Sequence, residues 1–124
     1  RMDKETIRQE VRGEYGERDE TKWIRYVEPQ LGKTVTTLVI HGQSIRMVRH
    51  GDVQSAQRFI PGKKETGFYQ TAYGSMPLAA HTRTVSLKWG NGGGLLDWDY
   101  ALYIGEEYAG QVAIHIEIRE ENEV

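Results

Sequence analysis

Four polar residues stand out for what they could do together: Arg49, Gln57, Tyr69 and Thr82. A permanent cation, an amide and two hydroxyls can grip an acidic head group. The guanidinium fork bonds two oxygens of a carboxylate or phosphate at once. If their segments are strands, side chains two apart share a side. Val53, Ser55, Gln57 and Phe59 then point one way. Gly67, Tyr69, Thr71 and Tyr73 do so on the next segment, and Met76, Leu78, Ala80, Thr82 and Thr84 on the one after. With Val53 and Phe59 inside, Gln57 is inside too, Tyr69 and Thr82 join it, and Phe59, Met76 and Leu78 line the apolar remainder. The bland alternative pairs Arg49 with a protein carboxylate at a strand end and lets the polar residues satisfy one another or buried water.

Other chemistries have less behind them. His41, His50, His81 and His115 include no pair at metal-ligand spacing, neither i, i+4 on a helix nor i, i+2 on a strand. Ser44, Ser55, Ser75 and Ser86 lie in no nucleophile-elbow context. Asp97 and Asp99 share one side of a strand and could serve acid–base work or Ca²⁺, but a solvated face explains them more simply. Gly92-Gly93-Gly94 lacks the lysine and helix of a phosphate loop, so it reads as a hairpin link. The expectation is therefore no metal, no cofactor and no catalytic residues.

The elements that must position these residues are strands. Turn signals at His41-Gly42, His50-Gly51-Asp52, Pro61-Gly62, Gly74-Ser75, Gly90 to Gly94 and Gly105-Glu106 punctuate the chain at short intervals. Between them the apolar period is two. Leu96, Trp98, Tyr100, Leu102 and Ile104 alternate with Asp97, Asp99, Ala101 and Tyr103; Val112, Ile114, Ile116 and Ile118 alternate with Ala113, His115, Glu117 and Arg119. Less regular strands are expected over Glu5–Arg12, Lys22–Glu28, Thr34–His41, Gln43–Arg49, Val53–Ile60, Glu65–Tyr73 and Met76–Trp89. An open sheet that wide exposes pairing groups at both edges, and closure into a barrel removes them, with a two-sheet sandwich as the alternative.

Composition bounds the rest. At 124 residues the chain is expected to be one domain, 1–124. It has no cysteine, which excludes disulfides and thiolate sites and fits a reducing, cytoplasmic setting. No apolar run reaches the roughly 18 residues of a membrane span. The chain begins at Arg1 and not at methionine, so the sequence leaves open what preceded it. Net charge is −2 but uneven: Lys33 to Lys88 holds eight bases against two acids, and Asp97 onward holds eight acids against one base. Attraction across neighbouring strands accounts for this more simply than a nucleic-acid stripe, because bases spread through strands form no cluster until folding joins them.

The stretch Arg49-His50-Gly51-Asp52-Val53, then Gln57-Arg58-Phe59 and Pro61-Gly62, resembles the signature of the YwiB-like family of uncharacterised bacterial β-barrel proteins. The resemblance continues through Tyr69, Tyr73-Gly74, Thr82 and Ile104-Gly105 and covers roughly Glu5 to Ile118. It implies an all-β, antiparallel calycin- or lipocalin-like barrel of about eight to ten strands. It also implies a further N-terminal strand before residue 5, and it carries no known function. Fold analogy then favours a non-catalytic barrel that binds a small, partly apolar ligand with an anionic group, through Arg49, Gln57, Tyr69 and Thr82. The alternative is a protein-interaction or structural module with a filled barrel; a small-molecule enzyme ranks third. The sequence leaves self-association into a homo-oligomer open.

Overall fold

A computed structural model describes residues 10–121. They form nine antiparallel strands and no helix: β1 (Gly13–Arg18), β2 (Thr21–Val27), β3 (Thr34–His41), β4 (Ser44–Gly51), β5 (Gln54–Phe59), β6 (Lys64–Thr71), β7 (Gly74–Gly90), β8 (Gly93–Ile104) and β9 (Glu107–Arg119). Each strand pairs with the next in one meander, β1 to β9. Neighbours in sequence are neighbours in the sheet, so short connections suffice, the longest being the loop 28–33 between β2 and β3.

The sheet curls around its concave face. Phe59 of β5 meets Trp98 and Tyr100 of β8 at ring-centroid separations of 5.6 and 4.6 Å. Tyr15 of β1 reaches Trp89 at the end of β7 at 6.1 Å, and Lys22 of β2 lies over the same indole. Arg12 and Glu121 form an ion pair at 3.2 Å just beyond β1 and β9. Among the described residues β1 and β9 share no ladder, so the expected closed barrel is not completed there; side chains alone meet across the seam and the architecture is a curled half-barrel.

The concave face is the core. Ile24, Leu38, Ile40, Ile45, Met47, Phe59, Ala80, Leu96 and Trp98 form one buried cluster, and Trp98, Phe59, Leu38, Ile45 and Leu96 are essentially inaccessible. The alternation in β8 and β9 is largely as expected: Leu96 and Trp98 are buried and Val112, Ile114 and Ile116 half-buried, against exposed Asp97, His115 and Glu117. Asp99, expected on the solvated side, is instead half-buried because Arg83 and Thr84 close over its carboxylate. At the far end of β8 the pattern weakens, and Ile104 is 41% exposed because it lies at the rim.

Three local expectations need correction. The first strand was expected at Glu5–Arg12; residues 1–9 lie outside the described residues, residues 10–12 are not strand, and β1 runs instead over Gly13–Arg18. Its glycines hid it. Gly16 sits directly under the Trp23 indole of β2, where a Cβ would collide with the ring. Second, Thr82 and Thr84 do not share a side. The register between β7 and β8 slips at Arg83, which has no partner in the ladder. This bulge turns Thr84 outward while Val85, Leu87 and Trp89 continue the inner face. Third, Tyr73 does not continue the inner row of Gly67 and Tyr69; it stands fully exposed in the turn before β7. Gly51 behaves as expected of a turn glycine: its φ is +134°, and a side chain there would also strike the Lys33 carbonyl.

Candidate functional site

Arg49, Gln57, Tyr69 and Thr82 all belong to the concave face, but they do not form one pocket. Arg49 is opposite Thr36 on one side and Ser55 on the other, and Tyr69 is the next residue across from Ser55. Arg49 Nε donates to Thr36 Oγ1 at 3.3 Å, Thr36 Oγ1 donates to Glu28 Oε2 at 2.8 Å, and the guanidinium lies 3.9 Å from the same carboxylate. The Arg49 and Glu28 side chains are only 22% and 11% exposed. Burial, helped by the Glu28 carboxylate and opposed by Arg49, pushes the Tyr26 phenol up to about 12. Burial also raises Tyr100, while Arg49 pulls it down, so this one guanidinium bears on both β2 and β8. The cation expected to stand ready for a ligand is thus matched by a protein carboxylate, and an acid placed beside it would meet Glu28 first.

Thr82 is fully buried beside Tyr100, its neighbour on β8, and Thr82 Oγ1 and Trp98 Nε1 are buried without a protein hydrogen-bond partner among the described residues. Polar atoms in that state call for ordered water. Tyr100, the cross-strand neighbour of Thr82, packs its ring against Phe59.

Gln57 has a different role. The β5–β6 ladder consists of Gln54↔Gln70, Ser55↔Tyr69 and Ala56↔Phe68, and then the two strands part. Gln57 Nε2 spans the parting, donating to the carbonyls of Arg58 and Glu65 at 3.0 Å each. Two carbonyl acceptors fix which end of the amide is nitrogen. Gln57 Oε1 is left buried against Gly67, where a Cβ would strike both it and the Ala56 carbonyl.

At this parting the wall opens into a cleft of about 460 Å³, lined by Arg46, Ala56, Gln57, Arg58, Glu65, Thr66, Gly67 and Phe68. Arg46 and Arg58 are direct cross-strand partners on its convex side. Arg58 reaches Glu65 only at 4.0 Å, with its side chain 56% exposed, and Arg46 makes no ion pair with a described residue. Like charges directly opposite one another on a sheet repel. Phe68, 41% exposed, adds an apolar rim.

A second convex groove of about 280 Å³ crosses β7, β8 and β9 beside Asp97, Asp99 and His115. Its charges are already answered. His115 Nδ1 and Asp97 Oδ1 share a hydrogen bond at 2.5 Å, and Asp99 accepts from Arg83 and from the N–H and hydroxyl of Thr84. Burial tends to raise the Asp99 carboxyl, but those hydrogen bonds outweigh it and hold the pKa below its ordinary value. Ser86 and His115 lie on opposite sides of Asp97, so no serine–histidine contact forms.

Sequence reasoning missed Arg46, Arg58, Glu65 and Phe68, and on the concave side Tyr26, Glu28 and Thr36. One signal was legible: Gly67, inside an otherwise continuous strand pattern, marks a place where another group comes close.

Among the described residues, a nine-stranded meander curled around a packed core, with no helix, defines a β-barrel protein of the half-barrel kind. The chain belongs to the family described as a domain of unknown function, DUF1934, whose model matches residues 1–116. It is 26% identical over 82 residues to the uncharacterized beta-barrel protein YwiB of Bacillus subtilis (strain 168), an alignment covering 66% of this chain and 58% of that protein. The chain therefore spans less than two thirds of that relative's length. The crystal structure of the same B. subtilis protein superposes with a TM-score of 0.72 at 22% identity, over 86% of this chain and 74% of the other. That likeness establishes the fold.

Proposed function

We propose that this chain is a non-catalytic binding domain that takes a small, partly apolar, acidic ligand at the cleft between β5 and β6. The observation carrying this reading is that Arg46 and Arg58 face each other across adjacent strands at the mouth of a roughly 460 Å³ opening, with Phe68 beside them. That volume lies within the range of small-molecule sites. Two facing cations also raise the energy of the unliganded wall, and an anion between them removes that repulsion. Arg49, Tyr69 and Thr82 belong in this reading to the wall's internal support, and Gln57 to the floor of the cleft.

Native mass spectrometry of the chain purified from its own host tests the reading. A retained small mass is expected, lost when Arg46→Met and Arg58→Met are combined. A chain that carries nothing, or a mass that persists in the double variant, overturns it. The filled concave core favours a second reading, in which the convex wall docks another protein; a partner chain in place of a small mass would then be retained.

A further inference from the structure

We propose that the acidic group held between Arg46 and Arg58 is a phosphoryl dianion, carried on a small body with an apolar or aromatic face that rests on Phe68. This inference names the ligand class of the cleft and rests on the cleft being a ligand site.

Charge count is the first argument. Arg46 and Arg58 each present a fork, and the only described carboxylate at the mouth, Glu65, stands 4.0 Å from Arg58. A carboxylate has two oxygens and one charge, enough for one fork. A phosphomonoester has three terminal oxygens and a charge near −2 above neutral pH, so it can accept from both forks at once. Geometry is the second. Directly opposed residues on antiparallel strands have Cβ atoms about 5 Å apart. Two guanidinium groups on such a pair can close on a single tetrahedral group from either side.

The floor supplies the third argument. Carbonyl oxygens exposed where a ladder parts would repel an anion. The Arg58 and Glu65 carbonyls are instead covered by the Gln57 amide, which spends both of its N–H donors on them. Gly67 leaves the room that this amide occupies. The apolar side of the cleft, Ala56 and Phe68, lies on the same convex face as the two arginines and suits the non-ionic body of the ligand.

The test is an NMR titration of backbone amides and arginine Nε–H groups at pH 8 and constant ionic strength. The probes are phenyl phosphate, phenyl sulfate and benzoate, which share a ring and differ in charge and shape. Phenyl phosphate is expected to bind at least tenfold tighter than the other two, shifting Arg46, Arg58, Ala56 and Phe68. Arg46→Met and Arg58→Met should each weaken it at least tenfold, whereas Arg25→Met, at an exposed position of β2, should leave it unchanged. Equal affinity for benzoate or phenyl sulfate overturns the phosphoryl assignment while the acidic-ligand cleft stands. No saturable binding of any probe overturns both. An equal loss in Arg25→Met would reveal diffuse attraction to a basic wall and overturn the site.

Discussion

Arg46 and Arg49 lie three positions apart on β4 and face opposite sides of the wall, and their circumstances differ in the same way. Arg49 is turned inward, mostly buried, and matched by Glu28 through Thr36. Arg46 is turned outward and meets a second arginine. A charge inside a wall must be neutralised by the protein because water cannot do it. A charge outside can be left to solvent, so opposed cations can persist there and remain open to something that arrives later. The residue whose type drew attention first is thus the one already matched within the protein, and a residue that looked like ordinary surface charge is the one the proposed site rests on.

Substitutions can break this comparison. The largest effect is expected for Arg49→Met, which strands the Glu28 carboxylate in a mostly buried position. Breaking a fully buried pair costs about 3–5 kcal/mol, and partial access to water at this rim reduces the expectation to about 2 kcal/mol. A denaturant melt showing no loss would mean that Arg49 is held for a partner from outside after all.

Asp99→Asn asks whether the face or the pairing is what matters, because Arg83 and Thr84 answer Asp99 on the convex side. A loss of about 1 kcal/mol at pH 7 is expected from charge-assisted hydrogen bonds that are partly solvated. The sign with pH follows from the lowered folded-state pKa. The stabilisation is complete above the unfolded carboxylate value, near 3.9, and fades as pH falls through the lower folded value. Stability curves of wild type and Asp99→Asn should therefore converge in strong acid. A constant gap down to that range would assign the effect to shape and not to charge.

The smallest effect has the opposite sign. Arg46→Met or Arg58→Met should raise stability by a few tenths of a kcal/mol in low salt, by removing opposed like charges, and the gain should shrink as salt is added. A destabilisation instead would mean that the two arginines are held apart by contacts of their own, and the case for a poised anion site would weaken.

Much of the fold was legible in the residues. Strict alternation in Leu96 to Ile104 and Val112 to Ile118 announced half-buried strands, and the glycine turns at Gly51, Gly62 and Gly105 divided the chain where the hairpins fall. Gln57 and Phe59 were correctly placed on the inner side with Val53. Less of the site was legible. The bulge at Arg83 inserts one residue without any proline or glycine to mark it, so parity alone carried Thr84 to the wrong face. The Glu28 carboxylate lies 21 positions before Arg49 and comes to it through Thr36 on the strand between.

Local sequence determined which side chains avoid water, because the strand period of two sorts apolar from polar residues before any partner strand is known. It determined most of the turns as well, since a positive φ favours glycine, as at Gly51, Gly62 and Gly105, although Asp19 takes that region in the β1–β2 turn. Only the tertiary structure decided which residues face each other. That Arg46 meets Arg58, that Arg49 meets Glu28, and that β5 and β6 part beyond Ala56 and Phe68 all depend on register and curl. Register is a property of two strands together: the same alternating pattern permits several pairings two residues apart, and the turn geometry and packed core select one.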